Sequence, residues 1–274
     1  RAIAPAPWTL PSHASAFTGR WPSELGADWR SALDESPATL AEQLARAGYQ
    51  TAGFAANTRF VSYESGLSRG FEHYEGYTSS VPRVFLASAI GRLLASTERL
   101  RGLIGTEWNL DRRGAAGIRL SFEHWLDQRD PSRPVFAFLN FFDAHHPYDS
   151  PESYDGRFGS HQRDPSAEDR LRSVVHPAPL FRRDSAGLDE MQKSYDECLR
   201  YLDDEIGRLL EGLRRSGMTE NTIVIVAADH GEHFGENGLV DHGNSLYFPL
   251  LRVPLLVAWP GHVPRGVRVS QPVS

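Results

Sequence analysis

Two distant segments of this chain carry residue types that together can break an ester bond. Thr9, in the segment WTLPSHASAFTG, offers a hydroxyl nucleophile at the start of a predicted helix. Asp229 and His230 follow the apolar run TIVIVAA and offer one oxygen and one nitrogen as metal ligands. A hydroxyl is a poor nucleophile at neutral pH unless a base or a metal lowers its pKa. The pair therefore predicts metal-assisted displacement at phosphorus or sulfur, and Thr9 decides which.

Both halves of this pair also have a simpler interpretation. An isolated Asp–His pair usually caps a turn, but Gly231 and Glu232 follow it on a very apolar strand, which favours the metal site. Thr9 alone would more commonly be the N-cap of the helix. Ser12 and Ser15 are rival hydroxyls, and Ser12 could instead bind an anion in the substrate or cap the first turn.

Histidines supply most of the remaining candidate groups. His145 and His146 follow the apolar run VFAFLNFF and could protonate a leaving group or bind a substrate oxygen. A histidine before a proline in a loop can equally be an ordinary surface residue. His242 lies in a predicted loop and could bind an anion, serve as a second metal ligand or act as a general acid. Weaker candidates are His13, His233 and Asn57.

The elements that must position these residues alternate between strand and helix patterns, which favours an α/β fold with a largely parallel sheet. Ligands of such sheets collect beyond the carboxyl ends of the strands, where Asp229, His230 and His145 are expected. Apolar runs predict strands over 51–56, 135–142, 222–228 and 253–259, with 135–142 buried on both faces. Helical spacing predicts helices over 12–18, 39–47, 84–96, 118–128 and 188–213.

Two further features belong to this pattern. Thr39 and Glu42 form a predicted capping box at the start of the second helix. The polar stretch 151–184 lacks a steady period and is expected to be a long surface loop, an insertion or a lid over the site.

Composition narrows the function classes. A chain of 274 residues that is 40% hydrophobic can bury one sizeable core and predicts one large domain. Its net charge of −6 argues against a nucleic-acid partner, and it holds no apolar run long enough to span a membrane. Cys198 is the single cysteine and is expected to pack in the core or at its boundary. One cysteine cannot form a disulfide within the chain, so it favours no cellular compartment, and localisation stays open. Lys193 is the single lysine, so a mechanism that needs lysines has almost none to use.

Seven segments, taken in order, resemble the sulfatase-like branch of the alkaline phosphatase superfamily. They are APAPWTLPSHASAFTGRWPSELGA, TLAEQLARAGYQTAGFAAN, RGFEHYE, FLNFFDAHHPY, YDECLRYLDDEIGRLL, VIVAADHGEHFGENGLVDHG and LRVPLLVAWPG. The resemblance covers nearly the whole chain and implies a three-layer α/β/α sandwich with a largely parallel mixed sheet. It is much less specific for the substrate.

The resemblance also implies roles for residues. Thr9 matches the metal-activated nucleophile, which is itself a metal ligand, and Asp229 and His230 match the other metal ligands. His145 matches a substrate-binding or leaving-group histidine, and His242 falls where many sulfatases have a lysine and related phosphoethanolamine transferases a histidine. The implied cofactor is a divalent metal ion (Zn, Mn or Ca), and an oxygen–nitrogen pair suits calcium less well.

The chain departs from the sulfatase pattern at three places. Sulfatases need a cysteine or serine at position 9, which is converted to formylglycine, and the accompanying arginine is His13 here. They usually hold sulfate with lysines, whereas the segment after Gln50 offers Asn57 and Arg59. The family's first strand, which ends in metal-binding aspartates, would lie upstream of Arg1. We therefore expect an internal fragment that lacks this strand and the C-terminal subdomain, and that alone is poorly stable and inactive.

Three functions follow as hypotheses. The favoured one is a metal-dependent hydrolase or group transferase of phosphate esters, in which Thr9 forms a covalent phospho-enzyme. The alternative is a sulfuric ester hydrolase on the same scaffold, and the third is a non-catalytic binding module. The expected partner is a small phosphate or sulfate ester whose alcohol part contacts the 60–115 and 151–184 regions; oligomeric state and metal identity are left open.

Overall fold

The computed structural model of the chain describes residues 1–29, 31–77, 112–159 and 185–274. The chain divides into two compact units. Unit 1 comprises Arg1–Pro37 and Asp143–Ser274, and unit 2 comprises Ala38–Phe142. No helix among the described residues is both long and apolar enough to cross a membrane.

The described residues form α-helices and short strands in alternation. The helices are α1 (Thr9–Thr18), α2 (Leu40–Arg46), α3 (Ala115–Gln128), α4 (Ser185–Arg215) and α5 (Phe248–Leu251). The strands are β1 (Ala2–Ile3), β2 (Gln50–Ala55), β3 (His73–Glu75), β4 (Val135–Asn140), β5 (Val224–Ala227), β6 (His233–Phe234), β7 (Val240–Asp241), β8 (Arg252–Val253) and β9 (Leu255–Ala258).

Unit 2 is built on a parallel sheet with the strand order β3–β2–β4. Phe54 on the central strand is fully buried, and its ring packs edge-on against Phe122 and Trp125 of α3. Beyond the carboxyl ends of β2 and β4, the backbone N–H of Asn57 donates to Oδ1 of Asn140 at 2.9 Å. Helix packing on one face therefore holds a polar edge of this sheet in place.

Unit 1 contains an antiparallel pair, β5 with β9, and two shorter pairs, β1 with β8 and β6 with β7. Its hydrophobic core gathers side chains from α4, from β7 and from the loop after His146. They are Tyr148, Met191, Cys198 and Val240, with Leu188, Tyr195 and Phe234 packed against them. Cys198 is thus a core residue, as predicted. The core lies directly beneath the β6–β7 hairpin, which leads into His242.

Most of the predicted elements are confirmed, with small shifts at their ends. The capping box is present, because the N–H of Glu42 donates to Thr39 Oγ1 at 3.1 Å and the N–H of Thr39 donates to Glu42 Oε2 at 2.7 Å. The predicted last strand is split at Pro254 into β8 and β9. The mixed α/β fold with a parallel sheet is also as predicted.

Two expectations need correction. The first helix begins at Thr9 rather than Ser12, and Trp8 is its N-cap, so the interpretation of Thr9 as an N-cap is wrong. Pro11 is compatible with this start, because first-turn N–H groups have no partner within the helix. The strand over 135–142 is half-buried along its length rather than buried on both faces, since β4 is the last strand of the described sheet.

Two predicted segments fall outside the described residues. These are the helix over 84–96 and the 160–184 part of the predicted surface loop. The described start of that loop, 151–159, contains one 3₁₀ turn, Glu152–Tyr154.

A close backbone approach in unit 1 yields the first prediction. A Cβ at Gly231 would overlap the carbonyl oxygen of Pro249, and the Gly231 N–H donates to Leu250 O at 2.7 Å. We expect Gly231→Ala to lower the free energy of unfolding by at least about 2 kcal/mol, because backbone atoms must move apart. Chemical denaturation of the full-length protein would measure this.

The matched control is Gly207→Ala. Gly207 lies inside α4, where nothing stands within 4 Å of the added Cβ, so this change should stabilise the protein by about 0.5–1 kcal/mol. Equal effects of the two substitutions would contradict the importance of the approach at Gly231.

Candidate active site

The nucleophile candidate, Thr9, is the first residue of α1 and its side chain is buried. Its Oγ1 lies 3.4 Å from Nε2 of His230, a residue that follows β5. Helix N-termini carry unpaired backbone N–H groups and a partial positive charge that favour a nearby anion. The sequence pair predicted to act together is therefore in contact across unit 1.

Asp229 completes a set of three donor atoms. Its Oδ2 is 3.5 Å from His230 Nε2, which in turn is 3.4 Å from Thr9 Oγ1. Zinc–ligand bonds of about 2.0–2.2 Å place neighbouring ligands of a tetrahedral site about 3.3–3.6 Å apart. A carboxylate, an imidazole and a hydroxyl with these separations fit a divalent metal ion.

Charges around Asp229 favour its ionised form. Burial opposes the charge, but the nearby His230 and His13 rings outweigh it and lower the pKa of Asp229 below its ordinary value. The aspartate is therefore a carboxylate at neutral pH, which is the form that binds a metal.

His13 lies behind this set of donors. Its Nδ1 is 2.9 Å from the carbonyl oxygen of Thr9, one helical turn away, and 3.5 Å from Oδ2 of Asp229. The residue thus links the backbone of the nucleophile to a predicted metal ligand. His13 was a weak candidate in the sequence. Its four-residue spacing from Thr9 within a predicted helix is the signal that indicates this contact.

Three histidine rings meet beside these donors. The His242 ring stacks on His230 with 4.3 Å between ring centroids, and His145 meets it edge-on at 5.0 Å. The Trp8 ring lies 5.2 Å from His242. The structure therefore brings together Thr9, Asp229, His230, His145 and His242, all of which the sequence singled out.

Two carboxylates surround His242. Nδ1 of His242 lies 3.2 Å from the nearer oxygen of Glu232 and 2.9 Å from Oδ1 of Asp241. Burial disfavours the charged ring, but hydrogen bonding to Asp241 and Glu232 outweighs it and raises the pKa of His242 to about 9. His242 is therefore an imidazolium at neutral pH. The sequence predicted no contact of either carboxylate with His242, although Asp241 directly precedes it.

The same three side chains have the spacing of a metal-binding group. Among the described residues, only Glu232, Asp241 and His242 form a group of three or more His, Cys, Asp or Glu ligand atoms within 4.8 Å of one another. The Nδ1–H hydrogen bond to Glu232 accounts for their proximity without a metal, so we assign the group as an ion pair.

The predicted substrate contacts lie in three different settings. Ser12 is buried and its hydroxyl donates to the carbonyl of Ala6 at 2.8 Å. His146 is buried, with its ring edge-on to Tyr148. Asn57 belongs to unit 2, where its Oδ1 accepts the backbone N–H groups of Arg59 and Phe60.

Ser15 and His233, the weaker hydroxyl and histidine candidates, lie buried within secondary structure. Ser15 lies buried on α1, one turn beyond Pro11. His233 is fully buried in β6, and its Nε2 lies 2.9 Å from Ser245 Oγ, which ties the β6–β7 hairpin to the following loop. His233 thus supports the segment that carries His242.

Comparison with known proteins identifies the family of the chain. The family model described as Sulfatase matches residues 1–274. A sulfatase of Formosa agariphila is 24% identical over 302 residues, which covers 98% of this chain and 58% of the relative. The chain therefore spans less than two thirds of the length of this relative.

Solved structures share the fold at low sequence identity. BT4656, in complex with its substrate D-glucosamine-2-N,6-O-disulfate, has a TM-score of 0.68 at 17% identity and covers 97% of this chain and 64% of its own. The phosphonate monoester hydrolase of Agrobacterium radiobacter has a TM-score of 0.65 at 20% identity, with coverages of 96% and 60%. The C-terminal periplasmic domain of EcEptC from Escherichia coli, in complex with Zn, has a TM-score of 0.62 at 15% identity, with coverages of 95% and 61%.

The position of His13 yields the second prediction. In the full-length protein, we expect His13→Ala to weaken Zn²⁺ or Mn²⁺ binding about 10-fold or more, because residues behind a metal ligand fix its orientation. Titration calorimetry against the metal alone measures this effect.

His73→Ala is the control for this change. His73 forms an ion pair with Glu75 in unit 2 and contacts none of the three donors among its described interactions. Unchanged metal affinity in His13→Ala, or an equal loss in His73→Ala, would show that His13 does not support Asp229.

Proposed function

Because the chain belongs to the sulfatase family, we propose that it is the core of a metal-dependent hydrolase or group transferase of phosphate esters with Thr9 as its nucleophile. The observation that carries this proposal is the 3.4 Å contact between Thr9 Oγ1 and His230 Nε2 at the start of α1. Sulfatase-family relatives are hydrolases of ester bonds, and a fold relative is a phosphonate monoester hydrolase.

Thr9, Asp229 and His230 would hold the divalent metal. Such a cation acts as a Lewis acid that lowers the pKa of a bound hydroxyl and polarises the ester. Because Thr9 is buried, its Oγ1 is held in place beside His230. Its side chain therefore needs little rearrangement before it attacks the ester.

The proposed reaction has two displacements at phosphorus. Thr9 Oγ1 forms a bond to phosphorus, its proton passes to solvent, and the bond to the leaving oxygen breaks. His145 gives a proton to that oxygen, so the alcohol leaves neutral. The oxygen of water, or of an acceptor alcohol in a transferase, then forms a bond to phosphorus and gives its proton to His145, which is thereby restored. The bond from phosphorus to Thr9 Oγ1 breaks, and Oγ1 takes a proton from solvent to become a hydroxyl again.

His242 supplies positive charge in this scheme. An imidazolium beside the nucleophile can bind the non-bridging oxygens of the ester and stabilise the charge that they carry during displacement. Ser12, His146 and Asn57 remain proposed substrate contacts. The imidazolium would take the part that lysines have in sulfatases, since Lys193 is the single lysine of the sequence.

The preference for phosphorus rests on two features of the chain. Thr9 is not a residue that the formylglycine conversion of sulfatases is expected to accept, and an unmodified hydroxyl can attack phosphorus directly. Lys193 forms an ion pair with Asp189 within α4, so it is engaged away from the donors.

Sulfate ester hydrolysis is the second candidate function. The relative from Formosa agariphila is called a sulfatase, and BT4656 binds a disulfated sugar. A non-catalytic module is the weakest candidate, because a discarded site would be expected to lose several of the donors and histidines that are in contact.

The proposal includes metal ligands from outside residues 1–274. Three protein donors leave a divalent cation with open positions, and further carboxylates are its usual partners. The relatives are longer than this chain, and the β5 side chain Ile225 is 63% exposed, as expected if another element packs there in the full-length protein.

A substrate panel tests the phosphorus preference. We expect the full-length protein to hydrolyse p-nitrophenyl phosphate or its phosphodiester analogue at least about 10-fold faster, in kcat/KM, than p-nitrophenyl sulfate, because Thr9 needs no modification. The assay is run with and without Mn²⁺ or Zn²⁺. Faster sulfate hydrolysis in a strain that cannot make formylglycine would overturn the preference.

Substitution of Thr9 tests the nucleophile. Thr9→Ala should lower kcat by about 10³-fold or more, whereas Thr9→Ser should keep part of the activity because it retains the hydroxyl. Mass spectrometry of the quenched wild-type reaction should find the phosphoryl group on Thr9. Undiminished turnover by Thr9→Ala would exclude the assignment.

A further inference from the structure

We infer that Glu232 is a positioning residue that acts on the substrate anion through His242. The inference rests on the proposed function of His242 as an anion-binding group. Glu232 directly follows the Asp-His-Gly segment, yet it contacts none of the three metal donors in its described hydrogen bonds. Its described hydrogen bonds are with His242.

The contact between the two side chains is buried and two-sided. Both carboxylate oxygens of Glu232 lie near His242 Nδ1, at 3.2 and 3.3 Å. The Glu232 side chain is 7% exposed and that of His242 is 3% exposed. A hydrogen bond in such a dry setting resists exchange with water, so it can fix the orientation of the ring.

The neighbouring carboxylate has a different task. Oδ1 of Asp241 is close to Nδ1 of His242, but it accepts the backbone N–H of His242 at 2.9 Å. Nδ1 of His242 thus lies within hydrogen-bonding distance of both carboxylates. The Asp241 oxygen is shared with the backbone N–H, whereas both oxygens of Glu232 are directed at the ring, so Glu232 supplies a ring contact that the backbone does not share.

Glu232 is itself held in a fixed place. Gly231 donates its N–H to Leu250 O, and a Cβ at Gly231 would overlap Pro249 O, so the backbone before Glu232 lies tightly against α5. The carboxylate thus approaches His242 from a rigid support.

Orienting His242 has a direct consequence for the anion. With Nδ1 bound to Glu232, a ring flip would break this hydrogen bond, because it puts a carbon atom in the place of Nδ1. Nε2 is therefore kept on the side of the ring opposite Glu232. The stack on His230 and the contact with Trp8 hold the ring plane beside the residue that precedes Thr9.

Binding of inorganic phosphate and sulfate by the full-length metal-loaded protein tests the inference. Loss of a buried hydrogen bond to a charged group predicts that Glu232→Ala weakens binding of the preferred anion about 10-fold or more. Glu232→Gln should stay within about 3-fold of wild type, because its amide oxygen accepts the same N–H. KM should rise in Glu232→Ala by more than kcat falls.

Two controls separate positioning from a general loop effect. Glu236→Ala removes an exposed acid of the same loop, which accepts the Phe234 N–H, and should change anion binding less than about 2-fold. In a His242→Ala background, Glu232→Ala should cause no additional loss, because Glu232 acts through that ring.

The outcomes discriminate between this inference and the proposed function. If wild type hydrolyses no phosphate ester but Glu232→Ala still weakens binding of sulfate or phosphate, the positioning role stands and the phosphate-ester proposal fails. If Glu232→Ala binds both anions like wild type, if Glu232→Gln is as impaired as Glu232→Ala, or if its effect persists without His242, the inference is wrong.

Discussion

The contact between Thr9 and His230 is the constraint on which the site depends. It joins the first residue of a helix to the loop after a strand, across 221 residues of sequence. A hydroxyl gains reactivity only where ligands or bases surround it, so neither segment can act alone. Three contacts hold these two backbone positions together. Strand β9 pairs with β5, α5 accepts a hydrogen bond from Gly231, and the Trp8 ring packs against His242.

The distribution of charge separates two tasks within the site. Thr9, Asp229 and His230 form an oxygen-rich set that suits a cation. His242 lies between two carboxylates, and their hydrogen bonds favour the charged form of its ring. The stacked rings of His230 and His242 connect the metal donors with the carboxylates around His242. A rotation of either ring would therefore change the packing of the other.

Local sequence patterns predicted most of the described elements and singled out the candidate residues that the fold brings into contact. Strand ends, the capping box and the left-handed Gly19 at the end of α1 are local features, which short-range physics determines. The start of α1 was misjudged, because Trp8 is an N-cap without a side-chain hydrogen bond and leaves no recognisable signal. The half-buried state of β4 depends on which strands lie beside it, and periodicity carries no information on that.

The contact between Glu232 and His242 could not be predicted from the sequence, because it depends on how the chain folds. Ten residues separate Glu232 from His242, and the β6–β7 hairpin folds them back onto each other. Sequence order places Asp241 next to His242, which would make Asp241 the obvious partner. Asp241 does contact the ring, and the hairpin adds a second carboxylate that lies ten positions upstream in the sequence. In the proposed function, Thr9 sets which ester is attacked, and Glu232, which only the fold brings to His242, supports the group that binds its anion.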